Sequence, residues 1–296
     1  MATLLQTTFD ASRDASGRAG AQENRSVLAR RLPRPFAALH ERQPKLATAA
    51  LIALVGAAVT LAAMPFDART VNGIDVWIKP TKFFISLAVY YATLAWAFGF
   101  LPRESQRTRA GRFVVLAPLA VGFYEMSWLV LAAANGVPSH FNYDSPFWLA
   151  AFRLAGVGAV VLIAAILVQG IMIARQRAVP IAPAMRFGLV AGAVIAFGAT
   201  LITAGYLGAS GGHWVGGVAT DAGGLPLLGW SRTGGDLRVA HFFALHAQQA
   251  LPALGALAVA LGRPNARAAL IVAAAGYVGL VAFTFVQALH GVPFLG

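Results

Sequence analysis

Residues 147–174 read FWLAAFRLAGVGAVVLIAAILVQGIMIA. A single charge, Arg153, interrupts this run. A bilayer core needs about 20 apolar residues to be crossed by a helix, and this stretch exceeds that length. Asp144-Ser145-Pro146 stands before it, offering a polar N-cap and a proline for the first turn. No soluble domain of ordinary size hides such a helix and then repeats the pattern, but this chain does repeat it. Six further runs of the same kind lie at about 46–65, 80–101, 113–134, 187–208, 239–262 and 268–289. The reading is an all-α polytopic membrane protein, a bundle of seven transmembrane helices.

Composition agrees. Of 296 residues, 58% are apolar types and 11% are charged, with a mean hydropathy of +0.68. A typical soluble domain carries about 25% charged residues. A soluble enzyme, a disordered chain and a disulfide scaffold are excluded on these grounds. The chain has no cysteine, which removes disulfides, thiolate zinc sites and iron–sulfur clusters. Any metal must be held by His, Asp, Glu or Met.

The net charge of +12 invites a nucleic-acid reading, but its distribution argues for topology instead. Eight Lys/Arg precede the first apolar run, four lie in 102–112, three in 175–186 and two in 263–267. The alternate side holds only Arg69, Lys79, Lys82, Arg232 and Arg238. The positive-inside rule then sets the N-terminus in and the C-terminus out, and no nucleic-acid partner is expected. Arginine outnumbers lysine 20 to 3. Together with abundant Ala and Gly, this composition suggests a bacterial cytoplasmic (inner) membrane. Residues 1–45 form a basic cytoplasmic tail, expected to be disordered over 1–25 and to lie on the membrane surface over 27–40. Residues 46–296 form the transmembrane domain.

The outer segments carry the chemistry. The loop 209–238 holds nine glycines together with His213, Trp214 and Trp230. Structureless loops longer than about 12–15 residues are uncommon unless functional or disordered, so this one is expected to fold over the outer mouth. Five of the six histidines, His140, His213, His241, His246 and His290, fall on that side. His246 lies roughly 10–12 Å below the outer boundary. His241 and His246 are five residues apart and so point about 140° apart on a helix. They do not chelate one ion together, and each needs partners from elsewhere.

Other spans add polar groups. Lys82, Ser86, Tyr90 and Thr93 fall within one arc of the second span. Glu125 sits near mid-depth of the third, and Arg153 one or two turns into the fourth. Gln249 follows His246 by three residues. A lone mid-membrane Glu or Arg costs several kcal/mol unless paired, so Glu125 is expected to pair with Arg153 or with Lys82.

Together these residues outline an outward-facing pocket. The leading expectation is a bound metal ion or haem serving membrane redox or hydrolytic chemistry. Glu125 and His246 are the catalytic candidates. His140, His213, His241 and His246 are the metal ligands, for haem b or a zinc or copper ion. Lys82, Tyr90, Arg153 and Gln249 are the ligand-binding candidates. The alternatives are a non-catalytic transporter or receptor for a small polar or anionic ligand, and a structural or assembly subunit of a membrane complex. No internal repeat of the kind common among secondary transporters is present.

Overall fold

The computed structural model describes residues 34–296. The tail expected over 1–25, and the start of the surface segment, lie outside the described residues. Eight α-helices follow in order: α1 (Arg34–Arg42), α2 (Pro44–Ala63), α3 (Ile78–Ala97), α4 (Arg109–Ala134), α5 (Pro146–Arg175), α6 (Pro183–Ala209), α7 (Leu237–Ala260) and α8 (Arg267–Leu289). All except α1 are long and apolar enough to cross a membrane, which makes seven candidate spans. Their mean hydropathy runs from 2.6 in the α5 segment to 1.3 in that of α7. The least apolar span is thus the one carrying His241, His246 and the glutamines.

Local chemistry starts and stops these helices, and α4 and α6 each begin four residues earlier than the apolar runs suggested. The Ser145 hydroxyl accepts from the Trp148 N–H (3.3 Å), with Pro146 opening α5. The Asp236 carboxylate accepts from the Arg238 N–H (3.0 Å) at the start of α7. Thr108 caps α4 through the Gly111 N–H (3.0 Å). Gly262, at φ +69°, turns the chain after α7.

Neighbouring helices pack in sequence order, and α8 also touches α6. The α6–α7 contact is the closest because glycines bring the backbones together. A Cβ at Gly188 would lie 2.5 Å from the Leu251 carbonyl oxygen, and one at Gly192 would lie 2.7 Å from that of Ala247. By contrast, α3 and α7 face each other without close backbone packing and meet through side chains. This leaves a polar seam inside the bundle.

Two short antiparallel ladders lie at one end. Strands β1 (Thr70–Val71) and β2 (Ile74–Asp75) form a hairpin. Its turn residues Asn72 and Gly73 both have positive φ, as a two-residue hairpin turn of this type requires. Strands β3 (Trp214–Val215) and β4 (Gly235–Asp236) clamp the two ends of the glycine-rich loop. That end is called the lid end below. The opposite end, with the arginine-rich connections, is the basic end.

Candidate functional site

The glycine-rich loop is a folded lid. Its centre is an ion-pair network around Arg238. The guanidinium meets Asp236 Oδ2 at 2.6 Å and Asp221 Oδ1 at 2.8 Å, and it donates to the Gly229 carbonyl at 2.7 Å. His213 Nε2 donates to the same Asp221 oxygen (3.1 Å), and its ring lies 3.7 Å from that of Trp214. Trp230 is buried and packs its edge on Phe242 and Phe294. Across the mouth, the Asp221 N–H and Thr220 hydroxyl both donate to the Asn72 carbonyl in the β1–β2 turn. Lys82 Nζ donates to the Leu228 carbonyl (3.2 Å). The lid therefore closes on α3 and on the hairpin.

The network fixes its own protonation. Burial pushes the Asp221 carboxyl up, but the His213 hydrogen bond and the Arg238 charge outweigh it and hold the carboxyl below its ordinary range. Burial holds His213 below the usual histidine value, against the upward pull of Asp221.

Below the lid, charges from several elements converge. The half-buried Lys79 ammonium lies in the field of Arg238, Asp221, Lys82 and Glu125. His140 sits in a cradle of Phe83, Trp128 and Phe152, at 5.9, 4.8 and 5.6 Å between ring centroids. Its Nδ1 pairs with the Ser139 hydroxyl at 3.1 Å. Burial first, then the charge of Lys79, hold His140 well below its ordinary value, so it is neutral at pH 7. His213 and His241 act on it too. Trp128 is buried with its Nε1–H unpartnered in the protein, and His241 has a buried, unpartnered Nδ1.

Glu125 is buried between α4 and α5, with Oε1 against Gly158, 3.0 Å from where a Cβ would lie there. The pairs expected for it do not form. Ion pairs among the described residues involve Asp67–Arg69, His213–Asp221, Arg238–Asp221 and Arg238–Asp236. Arg153 is exposed on α5, and Lys82 turns to the lid. Lys79 is the cation whose field reaches Glu125.

The remaining candidates lie deeper. Tyr90 is buried and its hydroxyl donates to the Leu162 carbonyl (2.9 Å), tying α3 to α5. His246 Nδ1 donates to the Phe242 carbonyl (2.7 Å), and the ring stacks on Phe242. Gln249 Nε2 donates to the Thr93 hydroxyl (3.2 Å) across the seam.

His140 is thus the group on which Lys79, His213 and His241 all act. Among the described residues, no three His, Asp or Glu side chains come together as a group able to hold a metal ion. The expected metal ligands His140, His213, His241 and His246 are not assembled into such a group. His213 instead serves Asp221, and His140 is enclosed by aromatic rings.

Sequence reasoning alone misses Lys79, Asp221, Arg238 and Asp236 as site residues. The signals are present: Lys79 and Lys82 are three apart and share a helix face. Asp221 and Asp236 are the acids of the lid loop. Compared with known family models, curated proteins and solved structures, the chain matches none.

Proposed function

We propose that this multi-pass membrane protein binds a small anionic solute beneath its lid. One observation carries the reading. Lys79 and Lys82 stand in the first turns of α3, pair with no carboxylate among the described residues, and lie under a lid. The helix dipole already makes that position electropositive, so two lysines there favour an anionic ligand. Arg238 differs, because Asp236 and Asp221 neutralise it. Trp128 Nε1–H and the neutral histidines supply hydrogen-bonding groups beside the lysines. Glu125 would then orient the lysines, and Arg153 would act at the rim or as a lipid-interface anchor. By the positive-inside rule the lid end faces out, across a bacterial inner membrane.

A second reading rests on His246. Its Nδ1–H is engaged by a backbone carbonyl, the arrangement that leaves Nε2 free to ligate a metal. That reading keeps haem b, zinc or copper, and with it redox or hydrolytic chemistry involving Glu125.

Purified protein in nanodiscs separates the two. Calorimetric titration with phosphate, sulfate, acetate and succinate is expected to show saturable binding of at least one anion, lost in Lys79→Gln. Absence of binding to all four overturns the anion reading. A Soret band or stoichiometric zinc or copper that disappears in His246→Ala establishes the second reading. Orientation is read separately in cells. Ala219 is exposed on the lid and the chain has no cysteine of its own. Ala219→Cys is therefore expected to react with an impermeant maleimide, and failure to react until the membrane is opened would place the lid inside.

A further inference from the structure

Three unpartnered polar atoms line one helix. His241 Nδ1, Gln248 Oε1 and Gln249 Oε1 are buried without a hydrogen-bond partner in the protein, and all belong to α7. From His241 to Gln248 is about 10 Å along the helix axis. Gln248 is 6% exposed and lines a cleft whose other polar walls are Thr93 on α3 and Gln169 on α5. The space open to water centres there is about 20 Å³, enough for one water, which needs roughly 10–15 Å³. Pro252 also borders the cleft. It has no N–H, so the Gln248 backbone carbonyl loses its helical donor and adds a second oxygen at the same residue.

The cleft reaches the basic end. Its lining includes Ala97, the last residue of α3, and Ile173, two residues before the end of α5. Its upper wall, Thr93, is bridged by Gln249 at 3.2 Å. Above that bridge on α7 lie His246 and then His241, toward the lid end. Polar groups thus mark the α3–α7 seam at successive depths, where the two backbones do not pack closely.

We infer that water in this seam forms a proton path between the lid end and the basic end. Gln248, Gln249, Gln169 and Thr93 keep their protons and act by orienting water. Each water accepts a proton on its oxygen and passes another onward, so one proton enters at one end as one leaves at the other. His241 and Glu125 are the exchangeable groups toward the lid end. The path is independent of the anion reading, since it uses the seam and not the lysines.

The test uses the full chain in phosphatidylcholine/phosphatidylglycerol liposomes with trapped pyranine. A potassium gradient and valinomycin set the driving potential. Proton entry is expected to run several-fold faster than in protein-free liposomes. Gln248→Leu is expected to return it toward the protein-free rate, and Gln248→Asn to keep most of it. Thr93→Val gives a second blocked variant should Gln248→Leu fail to fold. Wild-type flux equal to that of protein-free liposomes overturns the path. So does a folded Gln248→Leu protein that conducts like the wild type.

Discussion

The two ends of the bundle use arginine in opposite ways. At the basic end, Arg42 donates to the Trp96 carbonyl (2.8 Å), and Arg186 donates to those of Ile173 (2.6 Å) and Gln176 (2.9 Å). These carbonyls close α3 and α5, where the helix dipole is negative and cations are welcome. At the lid end, Arg238 is held by two carboxylates, one of them fully buried, inside a folded loop. Arginine at the basic end finishes helices, whereas at the lid end it assembles a tertiary device. The lysines below the lid pair with no carboxylate among the described residues, and Lys82 reaches the lid only through the Leu228 carbonyl.

The comparison can be broken at four points. The largest effect is expected from Arg238→Ala. It strands Asp236 in a buried site and should cost about 3–5 kcal/mol, read as a lower thermal midpoint and as faster proteolysis within 213–236. Lys79→Gln should leave that midpoint near wild type. It should weaken anion binding roughly tenfold to a hundredfold, the worth of a charge-assisted hydrogen bond of about 1.5–3 kcal/mol. Arg186→Ala should cost only about 1 kcal/mol and leave lid proteolysis unchanged; an equal loss at both ends would erase the contrast.

The smallest effect is a pH dependence confined to the lid. His213 is held below its unfolded value, so the opened lid binds more protons than the closed one once pH falls below about 6.5. Asp221, also held low, adds to the loss at still lower pH. The protection factors of amides across 213–236, which remove the intrinsic pH dependence of exchange, should therefore fall on acidification, while those of 98–107 should not. Uniform behaviour at both ends would contradict the lid network.

Much of the fold was legible in the chain. Spans longer than a bilayer and a cap such as Ser145 are local, and each can be read without its neighbours. The pocket was legible in part. Lys79, His213 and His241 act electrostatically on His140, but no group able to hold a metal forms among the described residues. Pairing was not legible. Depth says nothing about rotation, so Arg153 could be set beside Glu125 on paper while it points away from the core in the fold. Nor could spacing reveal that Asp221 reaches back to His213 and Arg238, since a loop closed by β3 and β4 has no period to read.

The amino-acid sequence alone determined seven apolar helices, their ends and the sidedness of the basic residues, all consequences of composition and local capping. Only the tertiary structure decided which charges are paired and which are not. That outcome depends on how each helix is turned about its axis. The turn is set by backbone contacts such as Gly188 against Leu251 and by side-chain bridges such as Gln249 to Thr93.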